Sequence, residues 1–207
     1  MYPSWYAFSC DKSVEYLKDH GCNKALQKIT SVIKPNQSCL SHNPYWYTLP
    51  GSTEVTFATT MNPGARLFFA GSSSDRSFTA NQRAICFTQK DPALDRELCL
   101  ALLNSTLCML LIEASAAPMA LGALDTRADT FKQMFMLDPT MVTSEQRERI
   151  IDAFVPLKKR EIKAALEELE QQDRQTFDDV VFEAYGISKY KTRIYSALKN
   201  MLKVRLR

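Results

Sequence analysis

The sequence predicts an α+β fold: a β-rich first domain, residues 1–140, that holds a buried helix pair, followed by an all-helical C-terminal tail, residues 141–207. Three observations predict it. Between Lys28 and Gln89 the apolar residues fall in short β-prone runs separated by turn residues. From Leu98 to Leu124 an apolar helical pattern breaks at Asn104-Ser105-Thr106 and then restarts. After Thr143 apolar residues recur at helical spacing and the β-prone runs cease.

The expected strands are Ile29–Ile33, Trp46–Leu49, Val55–Thr60, Leu67–Ala70 and Ala84–Thr88. Pro35-Asn36, Pro50-Gly51, Asn62-Pro63-Gly64 and Gly71 to Ser74 supply turns between them. Helix begins near Ala93. Asn and Ser accept hydrogen bonds from the orphan N–H groups of a helix start, so Asn104-Ser105 predicts a joint between two short buried helices rather than one long one. The second is expected to bury Leu107, Leu110 and Leu111 and to end around Ala117-Pro118. A membrane span is disfavoured, because Asn104, Ser105, Thr106 and Glu113 fall within the window it would need. A short extended piece, Met134–Leu137, and Asp138-Pro139 close the first domain.

In the tail, Thr143-Ser144-Glu145-Gln146 reads as a capping box ahead of Ile150, Ile151, Phe154 and Leu157, with Pro156 bending or restarting that helix. Further helices are expected over Glu161–Gln172, Thr176–Tyr185 and Ser188–Leu206, with a stop at Gly186. A helix-turn-helix around Gly186 is disfavoured, since the large Phe182 stands where close helix approach wants a small residue. A helical hairpin that packs on the first domain or on a partner chain is preferred.

Composition, at 45% hydrophobic and 24% charged, is that of a globular chain able to bury a core. Its net charge of +3 is unevenly placed: 91–140 is acidic on balance and the flanking regions are basic. Six cysteines form no C-x-x-C pair and Tyr2 to Phe8 lacks the features of a secretory signal, which reads as a reducing cytoplasm. Cys10, His20, Cys22, Cys39 and His42 gather zinc-ligand chemistry in one region, but their spacing fits no closed zinc template, so no metal site is expected. Six glycines, none in a G-x-G, leave no phosphate or cofactor cradle, and no G-x-S-x-G or H-E-x-x-H is present. Asn43-Pro44-Tyr45-Trp46 approaches the Asn-Pro-Pro-aromatic loop that binds a flipped adenine, yet lacks the second proline and the apolar strand before it. No catalytic residue is therefore assigned.

Taken in order, Trp46-Tyr47-Thr48-Leu49-Pro50, Arg66-Leu67-Phe68-Phe69, Asn81 to Phe87, Leu102-Leu103-Asn104-Ser105, Leu121-Gly122-Ala123-Leu124-Asp125 and Leu137-Asp138-Pro139 make a collinear series. Asp173-Arg174, Phe177-Asp178 and Tyr185-Gly186-Ile187 extend it, and a basic helix ends it. The series resembles the C-terminal target-recognition region of adenine-N6 DNA methyltransferases of restriction–modification systems, over about residues 12–207. Where that family carries a run of glycines, only Gly122 remains. The resemblance implies a DNA-binding specificity portion without the catalytic domain. It implies double-stranded DNA as partner, a separate methyltransferase catalytic chain as a second partner, and S-adenosylmethionine only in that chain or domain, not in this one. A noncatalytic helical protein-interaction module and a truncated methyltransferase remnant are the alternatives.

Recognition domains hold phosphates with cations and read base edges with Arg, Asn and Gln. The candidates are Lys24, Lys28 and Lys34 for phosphates, and Arg66, Arg76, Asn81, Gln82 and Arg83 for bases, with Arg66 also placed to pair with a buried carboxylate. Lys199 represents a second basic surface, formed with Lys189, Lys191, Arg193, Lys203, Arg205 and Arg207 in a stretch, 187–207, that has no acid.

Overall fold

The computed structural model describes residues 12–21, 24, 27, 28, 56–71 and 83–207. The expected strands at 29–33 and 46–49, the adenine-loop near-miss at 43–46, and Cys10, Cys22, Cys39 and His42 lie outside the described residues. The chain divides into two compact units, residues 2–52 and residues 53–207. In the first, helix α1 (Val14–Asp19) starts at Ser13, whose hydroxyl accepts from the Tyr16 amide at 3.2 Å, and it buries Leu17.

The second unit is α+β. Strand β1 (Phe57–Thr60) lies between β2 (Ala70–Gly71) and β3 (Ala84–Phe87), antiparallel to both. Phe57 faces Gly71 and Phe87, and Thr60 faces Ala84. Phe57 and Thr59 point into the core and Thr60 outward, the two-residue alternation of a half-buried strand. Phe69, Phe87 and Phe131 meet edge to face with centroids 5.2 to 5.9 Å apart and seal this side of the core.

Helices α2 (Arg96–Leu103) and α3 (Thr106–Ser115) form the expected buried pair, bent by 59° at the Asn104-Ser105 joint. Asp95 caps α2 and Ser105 caps α3, its hydroxyl accepting from the Cys108 amide at 3.2 Å while donating to the Leu102 carbonyl at 2.8 Å. The buried face of α3 is Cys108, Met109, Ile112 and Ala116, whereas Leu107, Leu110 and Leu111 are only partly covered. The helix is thus rotated from the expected seam. That rotation carries Thr106 and Glu113 inward, where each finds a charged partner. Among the described residues no single helix is long and apolar enough to cross a membrane, and this bent pair is core.

A hairpin that the sequence did not suggest follows: β4 (Ala117–Pro118) pairs antiparallel with β5 (Leu124–Asp125). Helix α4 (Ala128–Gln133) precedes the piece expected to be extended. The tail is helical throughout. Helix α5 (Ser144–Lys159) opens with the predicted capping box, Thr143 Oγ1 accepting from the Gln146 amide at 3.2 Å and Gln146 Oε1 from the Thr143 amide at 2.9 Å. Pro156 sits inside this helix without ending it. The next helix is shorter than expected, a single turn α6 (Ala165–Glu168), and the one after it, α7 (Gln172–Ala184), starts earlier. Helix α8 (Lys191–Arg205) follows, with Leu206 at its C-cap.

The core does not break at the expected boundary near residue 140. Ile150, Phe154 and Leu157 of α5, Phe177, Val181 and Phe182 of α7, and Ile194, Leu198 and Leu202 of α8 share one apolar cluster with Leu98, Leu102, Met109 and Ile112. Helix α5 packs on α2 and α7, and α8 packs on α3. Each tail helix has a single apolar stripe and must cover it against something; the helix pair covers those of α5 and α8, and α5 covers that of α7.

Candidate nucleic-acid interface

The residues expected to touch DNA divide into three groups. Lys34, Arg76, Asn81 and Gln82 lie outside the described residues. Lys24 and Lys28 are exposed in the first unit. Arg66, Arg83 and Lys199 are in the second, each beside a different group: Arg66 pairs with Glu161 at 3.2 Å, Lys199 with Glu170 at 2.6 Å, and Arg83 donates to Asn62 Oδ1 at 3.5 Å. Arg66 therefore has the carboxylate partner its apolar neighbours suggested, but an exposed one; both side chains are more than half accessible.

The second basic surface is reduced by pairing. Lys191 binds Asp179 at 2.5 Å, and Lys189 stands 5.0 Å from the Tyr190 ring centre. Arg205, expected at the surface, is instead buried against Glu113; the two side chains are 6% and 3% exposed. Its Nε donates to Glu113 Oε2 at 2.8 Å, and Nη1 donates to the carbonyls of Gly64, at 3.1 Å, and Gly122. Proximity in space, 92 residues apart in sequence, makes this pair, and no local pattern announces it.

Arg83 belongs to a polar group at one end of the sheet. Its carbonyl accepts from the Met61 amide at 2.7 Å, closing the end of β1 against the start of β3. Asn62 Nδ2 donates to the Leu124 carbonyl at 3.3 Å and approaches Met119 Sδ at 3.2 Å, so the turn after β1 is joined to the β4–β5 hairpin. Thr126 fastens the same region, its hydroxyl donating to the Met61 carbonyl at 2.8 Å. Arg127 follows, largely exposed and paired with Asp125 at 2.8 Å. Beside it an open depression is lined by Ser115, Arg127, Asp129, Thr130, Gln133 and Met134. Neither Asn62 nor Arg127 stood out in the sequence; an Asn in a Pro-Gly turn is an ordinary turn signal.

The same unit holds a buried polar node. Asn104 Oδ1 accepts from the Phe69 amide at 3.0 Å, and its Nδ2 donates to the carbonyls of Phe69, at 3.1 Å, and Leu100, at 2.9 Å. The backbone carbonyl of Asn104 accepts from Arg174, whose Nε and Nη2 both lie 3.1 Å from Glu168 Oε1. Arg160 chelates Glu168 at 2.8 and 2.9 Å and Asp173 at 2.6 and 2.9 Å. Asp178 accepts from the Thr106 amide at 3.0 Å, the Thr106 hydroxyl at 2.5 Å and the Tyr195 hydroxyl at 2.6 Å.

The charges respond accordingly. Burial pushes the Asp178 carboxyl above its ordinary value, against the pull of Arg174 and its three donors. Burial acts in the same direction on Glu168, but Arg160, the Lys163 amide and Arg174 together carry that group below the ordinary value. Arg160 does the same for Asp173. Buried ionic groups persist where every oxygen and N–H has a partner. No cluster of metal-ligand side chains occurs among the described residues, and Cys108, buried and apolar in its surroundings, is pushed up to about 12. In comparisons with family models, curated proteins and solved structures, nothing matches this chain.

Proposed function

We propose that this chain is the DNA-binding specificity portion of an adenine-N6 DNA methylation or restriction–modification system, not catalytic by itself. One observation supports the reading above others. Three motifs that carry the resemblance, separated widely in sequence, meet at Asn104: Phe69 of Arg66-Leu67-Phe68-Phe69 on its side chain, Arg174 of Asp173-Arg174 on its carbonyl, and Leu102-Leu103-Asn104-Ser105 as the joint itself. The motifs thus form one architectural unit, whose sheet end presents Asn62, Arg83 and Arg127.

In this reading the β part chooses sequence and the tail stiffens it. The sequence offers no cradle for S-adenosylmethionine, so methyl transfer belongs to a separate catalytic chain or domain. Binding to duplex DNA should weaken steeply with salt, since each phosphate contact contributes a slope of about −0.9 in log K against log salt. Arg83→Ala should relax preference at one base pair, about 1–3 kcal/mol for a bidentate contact. Anisotropy titrations with duplexes of varied sequence, at several salt concentrations, test both; binding that is absent or indifferent to salt overturns the proposal. Incubated alone with DNA and labelled S-adenosylmethionine, the chain is expected to transfer no methyl group, and transfer above a no-protein control would contradict the assignment.

The second reading, a protein-interaction module, is favoured by the paired tail cations. Lys191, Lys199 and Arg205 each have a carboxylate, so the basic run of α8 serves internal packing as much as phosphate contact. Lys199→Ala separates the readings: a nonspecific loss of DNA affinity with a smaller salt slope supports a phosphate contact, and no change assigns Lys199 to Glu170.

A further inference from the structure

We propose that Leu121 is an apolar wedge, carried on a rigid hairpin tip, that enters the base stack of duplex DNA. The inference rests on the DNA-binding reading and extends it to a residue with no role there. Between β4 and β5 the chain turns through Ala120, Leu121, Gly122 and Ala123, closed by the Met119 amide donating to the Ala123 carbonyl at 2.8 Å. Leu121 has φ 59° and ψ 29°, and Gly122 follows with φ 68°. Two successive left-handed residues make a type I′ turn, whose first central position normally holds Asn, Asp or Gly. Leucine is strained there, and among the described non-glycine residues it alone has a positive φ. Its side chain is nevertheless wholly exposed, with none of the described residues covering it.

The support beneath is stiff. A Cβ on Gly122 would stand 2.9 Å from the Arg205 carbonyl oxygen, so α8 presses directly on the turn. Arg205 Nη1 donates to the Gly122 carbonyl, and the same guanidinium is fixed by buried Glu113. Asn62 holds the other leg through the Leu124 carbonyl. Strain that the surroundings enforce, at a residue contributing nothing to the core, directs attention to what the residue meets outside.

Charge selects the occupant. Arg127 stands two residues beyond β5, Arg83 is joined through Asn62 to the hairpin, and Leu206, which packs on Gly122, is followed by Arg207. Asp125 is answered by Arg127. Arg83 and Arg207 add positive charge near the hairpin, while Arg127 and Asp125 offset each other; an aliphatic side chain protruding beside such charge suits a polyanion with an apolar interior, and side chains such as Leu and Met enter DNA in this manner, unstacking a base step.

The test uses the full chain and duplexes containing 2-aminopurine, whose fluorescence rises on unstacking. Leu121→Gly and Leu121→Asn suit the positive φ and keep the fold, as an unchanged or raised Tm would show; Leu121→Met keeps an apolar tip. The wild-type chain and Leu121→Met should raise the fluorescence. The Gly and Asn variants should not, and should bind about tenfold more weakly, near 1.4 kcal/mol, with the salt slope unchanged because no charge has changed. Equal affinity and equal fluorescence for wild type and Leu121→Gly would overturn the wedge while leaving DNA binding intact. A wild-type chain that binds no duplex overturns the DNA reading itself, and self-association lost on Leu121→Gly would make the tip a protein contact and overturn the wedge.

Discussion

The side-chain amide of Asn104 does for Phe69 what a neighbouring strand would do, meeting both its N–H and its C=O. Asn104→Ala would leave these two backbone groups and the extra lone pair of Leu100 without that partner in a dry environment. A buried unsatisfied group costs about 1–3 kcal/mol, so a loss of about 2–5 kcal/mol is expected from urea unfolding, and a loss below about 1 kcal/mol would show that water replaces the amide. Leu121→Gly should act in the opposite direction, because relief of a left-handed leucine is worth about 1–2 kcal/mol before the added freedom of glycine in the unfolded chain is subtracted. The two residues also mark what sequence can show. Ser105 was legible as a cap because capping is local, whereas the tie from Asn104 to Phe69 spans 35 residues and no spacing rule contains it. Leu121 was illegible for a different reason: leucine is the wrong residue for its turn, so turn chemistry pointed away from a hairpin.

At the level of elements, α3 separates pattern from packing. Leu107, Leu110 and Leu111 promised a seam, but Thr106, Met109, Ile112, Glu113 and Ala116 are the residues turned inward, at the three- and four-residue spacing of one helix face. Ile112→Ala should cost about 2–5 kcal/mol, and Leu110→Ala distinctly less; equal losses would restore the expected seam. The link between α5 and α7 carries a pH dependence. Arg160 depresses Asp173 and, overcoming burial together with Arg174 and the Lys163 amide, Glu168. A carboxylate depressed on folding adds stability above its unfolded value, near 4, and that stability is lost as pH falls through the folded value. Asp178 has the opposite sign: burial raises it, so its contribution is present below the unfolded value and lost as pH rises through the folded one. Arg160→Gln removes much of the first effect and leaves the second. Urea midpoints taken from neutral to acid pH should therefore fall less steeply for the variant, from a lower neutral starting point; parallel curves would mean that Arg160 does not set the two carboxylates.

Across the whole of residues 53–207, the ordered core depends on a few long-range ties that the division at residue 140 did not anticipate. Composition changes there, from strand-like runs to helical stripes, and the sequence pattern registers that change correctly. What it cannot register is that α5 and α8 lay their stripes on the α2–α3 pair, that α7 lays its own on α5, and that all of them share one core. The Arg205–Glu113 pair shows the consequence: one guanidinium joins the last helix to α3, to the turn after β1 through Gly64 and to the hairpin through Gly122. Removing one member of such a pair leaves a buried charge without its counter-ion, at about 3–5 kcal/mol, while replacing both by apolar groups of similar size is often neutral or stabilising. Arg205→Met should thus cost far more than the double variant Glu113→Leu with Arg205→Met, apart from the lost carbonyl contacts at Gly64 and Gly122. The double variant should regain stability yet loosen the hairpin, which amide exchange at Gly122 and Ala123 would report as faster opening than in the wild type. If the double variant is as unstable as Arg205→Met alone, the stranded Glu113 is not the source of the loss, and the contacts to Gly64 and Gly122 carry the stability instead.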